Sequence, residues 1–333
     1  MPAAPSSRFR SLSSLEMLPA AFPPTRPVHL GIGNYDGYHR GHRAVFAEAK
    51  RRAAEDGGIV GALTFRPHPE VFFRGNDAVK LIFPRERKDE LFAADGLDFA
   101  VHEPFSEAFA SIEAEDFLRF LKEKIPALRG VYVGENFRFG AGRRGDVALL
   151  KRAGNACGAE AFAVPPVSFG GERISSSRIR EALARGEIED ADAMLGAPYA
   201  CGGVVVPGNR LGRTIGFPTL NLAWSPELRP RYGVYVVRLR VPASGKVFRG
   251  IANYGVRPTV ERDGVPAPLL ETHLPDVPSG VSAPTYGDFI RVEWLRFVRP
   301  ETRFDGIGAL KAQLEKDKLA ALDFSEETYP AGV

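Results

Sequence analysis

The stretch Gly31-Ile-Gly-Asn-Tyr-Asp-Gly-Tyr-His-Arg-Gly-His42 lies between an apolar run, Val28 to Gly33, and a helical pattern, Gly41 to Glu55. The helix carries Val45, Ala49 and Ala53 on one side and meets its stop signal at Gly57 and Gly58. Further apolar runs at Ile59 to Phe65, Phe99 to Val101, Val131 to Gly134 and Ala161 to Val164 are spaced by helical patterns. That βαβ rhythm predicts a Rossmann-like α/β domain with a mostly parallel sheet. In such open sheets ligands bind beyond the carboxyl ends of the strands, where helix N-termini converge. The quoted stretch falls at that place.

His39 and His42 stand at i and i+3. With Gly41 beginning the helix, both face the same way beside its positive end, where a polyphosphate would be held. Gly33, Gly37 and Gly41 let the backbone approach such a ligand. A metal site is the competing reading, but two histidines and one aspartate without a further ligand make a weak zinc case. A purely structural glycine turn is the plain alternative. Against it, HxGH directly after a strand says more than scattered histidines do.

A chain of 333 residues points to two domains. A second helical stretch, Ser176 to Ala184 and Glu187 to Met194, closes at Leu195-Gly-Ala-Pro198, which places a boundary there: a domain over 28–197 and another over 198–333. Beyond it the rhythm changes to short strands without intervening helices, at Gly203 to Val206, Gly233 to Arg240, Val247 to Tyr254, Leu269 to Leu274 and Phe289 to Phe297. This predicts an antiparallel barrel or sandwich. A terminal helix, Ile307 to Leu322, covers it, with Ile307, Leu310 and Leu314 as an apolar stripe and Asp305 available as N-cap.

Composition narrows the function. Lys plus Arg minus Asp plus Glu is 44 − 41 = +3, too small an excess for a dedicated nucleic-acid binder, though local anion sites are allowed. The 35 glycines and 27 prolines favour loop-borne chemistry. Cys157 and Cys201 support neither a disulfide framework nor a zinc site and fit a reducing compartment. No run reaches transmembrane length and no signal-peptide core is present, so the expectation is a cytoplasmic protein without a membrane partner. Residues 1–27, rich in Ser, Pro and Arg, faintly resemble a transit peptide and read more plainly as a partly disordered leader.

Several further segments carry a family resemblance. Leu63-Thr-Phe-Arg-Pro-His-Pro69, Val133-Gly-Glu-Asn-Phe-Arg-Phe-Gly140 and Arg173-Ile-Ser-Ser-Ser-Arg-Ile-Arg180 follow the HxGH motif in the order seen in a nucleotidyltransferase domain. Gly212-Arg-Thr-Ile-Gly-Phe-Pro-Thr-Leu-Asn221, Asn253-Tyr-Gly-Val-Arg-Pro-Thr259, Leu270-Glu-Thr-His-Leu274 and Arg299-Pro-Glu-Thr-Arg-Phe304 come next. Together they resemble bacterial bifunctional FAD synthetase: an FMN adenylyltransferase half followed by a β-barrel riboflavin kinase half. The resemblance spans about residues 28 to 320, nearly the whole chain.

The resemblance implies phosphorylation of riboflavin to FMN and adenylylation of FMN to FAD, with ATP as co-substrate and Mg²⁺ at both sites. It makes His39 and His42 binders of ATP phosphates, with Gly33, Asn34 and Asp36 shaping their loop and Asn136 touching the nucleotide. Ser176, Ser177, Arg173 and Arg180 would grip phosphate, although serine before a helix is also an ordinary N-cap. In the second half it implies that Gly208, Gly212, Arg213 and Gly216 wrap phosphate, that Thr219 and Asn221 hold Mg²⁺, and that Glu271 is the general base. Ser177 replaces the usual threonine and keeps its hydroxyl. Leu220 replaces the usual alanine, and with the longer segment 275–284 it motivates an alternative in which the kinase half is inactive. A non-catalytic flavin- or nucleotide-binding regulator is a second alternative. Phe65, Phe137 and Phe139 are candidates for the flavin ring. Arg138, Arg143 and Arg144 read equally as solvated surface, Lys50, Arg51 and Arg52 as a helix's exposed face, and His29, His102 and His273 as structural residues. A homo-oligomer is left open.

Overall fold

The computed structural model describes residues 9–325 apart from 24, 209–210, 223, 225 and 263–264. Residues 1–8 of the expected leader and 326–333 of the expected second domain lie outside that set. By packing the chain divides into two compact units, Met1–Ser176 and Ser177–Gly332.

In the first unit the elements run β1 (Arg10–Leu12), α1 (Leu18–Ala21), β2 (Val28–Ile32), α2 (Arg40–Asp56), β3 (Ile59–Arg66), α3 (Pro69–Arg74) and α4 (Arg85–Ala94). They continue with β4 (Phe99–Pro104), α5 (Glu107–Ala110), α6 (Phe117–Lys124), β5 (Leu128–Gly134), α7 (Val147–Cys157), β6 (Glu160–Val164) and a small hairpin of β7 (Ser168–Phe169) and β8 (Glu172–Arg173). The six long strands form one parallel sheet in the order β1-β4-β3-β2-β5-β6. The chain therefore builds outward from β2 in one direction through β3 and β4, and in the other through β5 and β6. That reversal opens a crevice at the carboxyl ends of β2 and β5.

Strand β2 is buried along its whole length, as a central parallel strand must be. Helix α2 buries Val45, Phe46, Ala49 and Ala53. It stops where Gly57, at φ 69°, takes the left-handed conformation and donates its N–H to the Ala53 carbonyl. The leader is not loose throughout. Arg10–Leu12 pairs in parallel with Phe99–Val101, and Leu12, Leu15 and Leu18 are buried in the core of the sheet. Burying each leucine contributes about 1.5–3 kcal/mol, enough to hold a three-residue strand that has no alternating pattern of its own.

The second unit begins with α8 (Ser176–Arg185), which starts at the division itself, and α9 (Ile188–Leu195). Then come β9 (Ala200–Val206), α10 (Leu211–Thr214), β10 (Thr219–Leu222), β11 (Gly233–Val241), β12 (Lys246–Arg262), β13 (Val265–His273), β14 (Phe289–Arg299) and α11 (Ile307–Leu322). The division by packing precedes the 197/198 boundary read from the helix-stop signal. The reason is that α8 and α9 are tied to the barrel: the Arg231 N–H donates to the Leu183 carbonyl at 3.0 Å, and Arg296 pairs with Glu189 at 2.8 Å.

The six strands close into an antiparallel barrel in the order β10-β13-β12-β11-β14-β9. Side chains alternate between its two faces. One set, Tyr235, Tyr254 and Trp294 with Tyr199, packs ring on ring, with Tyr235 4.4 Å from Trp294. The other set, Val234, Val236 and Ile251, packs with Ala321 of α11. Helix α11 therefore covers the outside of the barrel wall, and a buried ion pair anchors it: Arg299 donates twice to Asp317, at 2.9 and 2.7 Å, with Asp317 1% exposed. The helix has the span expected for it, but Gly306, not Asp305, is its N-cap, and no side chain caps it. Ile307 is exposed, whereas Leu310 and Leu314 face a cavity.

Candidate active sites

The first site is a turn between β2 and α2. Tyr35 and Tyr38 both adopt positive φ, 50° and 41°, a conformation that costs a side-chain-bearing residue about 1–2 kcal/mol. Burial of the two rings offsets that cost. Tyr35 lies 4.8 Å from Phe46 and Tyr38 4.8 Å from Phe92, and the Tyr38 hydroxyl donates to Asp95 at 2.6 Å. Gly37, between them, is also left-handed, at φ 79°. The turn is thus held by an aromatic core and not by glycine content alone.

His39 is the N-cap of α2, which starts at Arg40, one residue before the start read from Gly41, and its Nδ1 accepts the His42 N–H at 3.4 Å. A ring nitrogen that accepts cannot carry the proton, so neutral His39 bears it on Nε2 as a donor. The two imidazoles stack at 3.6 Å, and a Cβ on Gly41 would come within 3.1 Å of the His39 ring. Burial, and then the charge of Arg173, lower His39 to about 4. Burial lowers His42 well below its ordinary value too, with the charges of His39 and Lys88 adding to the effect. Both rings are therefore neutral near pH 7. His42 Nδ1 is buried with no hydrogen-bond partner among the described residues, as is the Tyr35 hydroxyl.

The other expected residues of this site are placed as follows. Asn34 follows β2, its carbonyl accepting the Thr64 hydroxyl at 3.0 Å and its amide meeting His68 at 2.9 Å. Asp36 is 3% exposed, accepts the Ile82 N–H at 2.9 Å, and through its carbonyl takes the Ser176 hydroxyl at 2.8 Å. The Arg173-Ser176 segment is thereby tied to the turn. Asn136 is exposed just past β5, on the other side of the crevice opening. Ser177 and Arg180 stand in the first turns of α8, where Arg180 donates to the Ser177 hydroxyl at 3.3 Å. Gly33 packs against the Tyr35 ring. Phe65 and Phe109 lie in a cluster of rings that extends to the exposed Phe72 and Phe73, while Phe137 and Phe139 stack at 5.6 Å.

The second site lies across the barrel wall. Asn221 on β10 pairs with Glu271 on β13, which pairs with Asn253 on β12. One step along, Thr219 pairs with His273 and His273 with Ile251. Directly paired residues share a face, and residues two apart on a strand do as well, so these polar groups form two adjacent rows on the wall that α11 covers. Thr219, Asn253, Glu271 and His273 line a cavity of about 340 Å³ closed on its far side by Leu310 and Leu314. Asn221 is 5% exposed, its Oδ1 has no hydrogen-bond partner among the described residues, and a Cβ on Gly208 would lie 2.3 Å from its amide. Gly212 approaches the Phe217 carbonyl so closely that a Cβ would lie 2.2 Å from it, and Gly216 has φ +88°. Arg213, on α10, is exposed. His273 was expected to be structural. It does donate Nδ1–H to the Pro218 carbonyl at 2.9 Å, and it also lines the cavity.

Comparison with known proteins finds a match for each half of the chain. A FAD synthetase family model covers residues 23–178 and a riboflavin kinase model residues 195–325. The bifunctional riboflavin kinase/FMN adenylyltransferase of Escherichia coli strain K12 is 38% identical over 302 residues, covering 91% of this chain and 94% of that protein. The chain belongs to this family. A second member of the riboflavin kinase/FMN adenylyltransferase family, from Bacillus subtilis strain 168, is 34% identical over 298 residues, covering 89% of this chain and 92% of its own. Among solved structures, a Streptococcus pneumoniae protein described as a macrolide-efflux protein matches with TM-score 0.82 and 28% identity, over 96% of this chain and 100% of that one. No helix among the described residues is long and apolar enough to cross a membrane.

Three residues at these sites were not among those read from the sequence as site residues. Asn253 and His273 fall inside quoted motifs, but only strand register shows that they flank Glu271. Lys88, on α4, is 7% exposed and donates to the Asn34 carbonyl at 3.1 Å. In sequence it stands in Arg85-Glu-Arg-Lys-Asp-Glu90, which reads as a solvated helix face.

Proposed function

We propose that residues 198–333 phosphorylate riboflavin to FMN with ATP and that residues 28–197 then adenylylate FMN to FAD, releasing pyrophosphate. One observation carries the reading: family matches over both halves coincide with two separate clusters of reactive groups, the stacked imidazoles on α2 and the polar rows around Glu271.

In adenylylation the FMN phosphate is already a nucleophile, so the chain need not supply a strong base. Its task is to place the attacking oxygen in line with the α-phosphorus and to answer the charge that moves to the leaving pyrophosphate. His39 Nε2–H and the N–H groups at the start of α2 are the donors for that charge. Neutral imidazoles suit this work because they donate without needing a proton taken from solvent. Ser176, whose hydroxyl is bonded to the turn, and Arg173 join them; the family resemblance adds Ser177 and Arg180 for phosphate and Asn136 for the nucleotide.

In phosphorylation the ribityl hydroxyl is a poor nucleophile, and Glu271 removes its proton as it attacks the terminal phosphorus of ATP, whose bond to the bridging oxygen breaks to release ADP. Gly208, Gly212, Arg213 and Gly216 hold the phosphates. The donor set of Thr219 and Asn221 fits Mg²⁺, a hard cation that prefers oxygen, because the Asn221 carbonyl oxygen is buried and has no hydrogen-bond partner among the described residues. When bound, the ion neutralises phosphate charge. Leu220 does not intrude on this. It lies between Thr219 and Asn221 on β10, so it points to the opposite face, paired with Thr272; the family matches over both halves favour an active kinase over the alternative drawn from Leu220 and segment 275–284. A pure binding protein would have no use for Glu271 beside the cation ligands.

Incubating the full chain with riboflavin, ATP and Mg²⁺ and following the flavins by chromatography tests the reading. FMN should appear first and FAD after it. Conversion of supplied FMN to FAD with riboflavin left unchanged would remove the kinase assignment, and no change in either flavin would remove both.

A further inference from the structure

Lys88 is out of place by the ordinary rules of burial. Its side chain comes from α4 into the floor of the first site, and its Nζ donates to the Asn34 carbonyl at 3.1 Å and the Thr64 hydroxyl at 3.4 Å. Among the described residues no carboxylate lies within ion-pair distance of it; the acids that act on its charge, Asp36 and Asp89, do so from further off. Both have close partners of their own. Asp36 accepts the Ile82 N–H at 2.9 Å, and Asp89 holds His102 at 2.7 Å and Ser11 at 2.5 Å. Burial of an ammonium without such a pair is costly.

The contacts Lys88 makes do not justify that cost structurally. The Asn34 carbonyl already accepts the Thr64 hydroxyl at 3.0 Å, so removing the ammonium leaves no buried carbonyl unsatisfied. What Lys88 does add is an ammonium inside the site, lowered in pKa by burial but held up by the more distant charges of Asp36 and Asp89, where the imidazoles supply no positive charge. The two imidazoles are neutral, and the ammonium itself helps to keep His42 so. Arg173 is the other cation acting on the pair, and it is exposed.

We propose that Lys88 is the standing cation of the adenylylation site, held buried without a carboxylate partner so that the polyphosphate of the nucleotide completes its pairing. This rests on the adenylyltransferase reading above. It also accounts for the His42 Nδ1 that has no hydrogen-bond partner among the described residues: the site is arranged for an anionic guest and not for its own internal pairing.

The test is Lys88→Met in the full chain, a swap that keeps the length and bulk of the side chain and removes charge and donors. A functional cation predicts a melting temperature equal to or above wild type. It also predicts a fall of at least tenfold in kcat/KM for ATP in FMN-to-FAD conversion, carried mainly by KM, with riboflavin-to-FMN conversion by the same chain unchanged. Lys88→Arg, which keeps the charge, should retain more of the ATP affinity than Lys88→Met. A Lys88→Met chain that melts below wild type, or that keeps kcat/KM for ATP within twofold, overturns the proposal, since either makes Lys88 a structural residue. Calorimetric titration of inorganic pyrophosphate separates this from the functional reading. A wild-type chain without turnover refutes adenylylation, while weaker pyrophosphate binding by Lys88→Met still supports the cation and equal binding overturns it.

Discussion

The two sites are assembled by opposite means. The first is a contiguous turn: a strand end, two strained tyrosines locked into an aromatic core, and a helix start, all within Gly31 to His42. The second is a pair of rows drawn from three strands far apart in sequence, Thr219 and Asn221, Ile251 and Asn253, Glu271 and His273. In the first, chemistry is positioned by local backbone conformation; in the second, by register. The first should therefore tolerate changes elsewhere in its sheet but not in its turn. The second should fail when the pairing of β10, β12 and β13 slips, because a one-residue slip turns a strand's polar groups to the other face.

The largest expected effect separates the two sites outright. Glu271→Gln keeps the shape of the row and removes the base, and should lower riboflavin phosphorylation by about 10²–10⁴ while FMN-to-FAD conversion stays near wild type. His42→Ala should do the reverse, lowering FAD formation by about 10²–10³ and sparing FMN formation. Each variant is assayed with riboflavin and with FMN supplied separately. Equal loss of both steps in either one would break the comparison.

The pH dependence of stability follows next. His39 titrates near 6.5 when unfolded and is lowered to about 4 in the fold, chiefly by burial. Above pH 6.5 neither state binds the proton. As pH falls below 6.5 the unfolded chain takes up a proton that the folded one refuses, so stability drops, and the drop is complete near pH 4. The expected loss is about 3 kcal/mol from His39 alone, and His42 acts with the same sign. Thermal melts between pH 7 and 4 should show the first unit losing stability, with a smaller slope in His39→Asn. An unchanged slope would mean that the imidazoles are not buried as neutral groups.

How far each site was legible in the sequence follows the same contrast. A strand, a glycine-punctuated turn and a helix in succession announce themselves because every residue needed is a chain neighbour. The span of α2 and the burial of Val45, Ala49 and Ala53 were readable for that reason. The barrel wall was not. Thr219–Leu222 follows Pro218 and is four residues long, so it read as the end of a phosphate loop and not as β10. Nothing local places Asn253 beside Glu271; three strands must pair first. The leader hid β1 because its three residues gain their order from Phe99–Val101, a partner nearly ninety positions on. Lys88 was hidden because charged neighbours on both sides make it look solvated, and only the packing of α4 buries it.

Asn221 sharpens the comparison from the second site. If its buried carbonyl oxygen is a Mg²⁺ ligand, Asn221→Ala should raise the Mg²⁺ concentration for half-maximal FMN formation by about tenfold or more, with the Mg²⁺ demand of FAD formation unmoved. Titrating Mg²⁺ in both half-reactions measures it. A shift in both would place the residue's effect in the fold and not in the cation site.

The smallest effect concerns the helices that close each unit. In α7 the Asp146 carboxylate accepts the Leu149 N–H at 2.8 Å, and that bond holds the carboxyl below its usual range. In α11 the neighbouring carboxylate, Asp305, makes no cap, and Gly306 occupies the position without a side chain. Two aspartates that look alike beside a helix start are thus unequal. Asp146→Ala should lower the melting temperature of the first unit by about 2–4 °C, whereas Asp305→Ala should move that of the second by less than about 1 °C. The difference is a test of what holds α11 in place. With no cap, its position over the cavity rests on the Arg299–Asp317 pair and on Ala321, so Asp305→Ala should leave riboflavin phosphorylation untouched. A loss of phosphorylation there would show that the start of α11, and not its buried end, sets the shape of the kinase cavity.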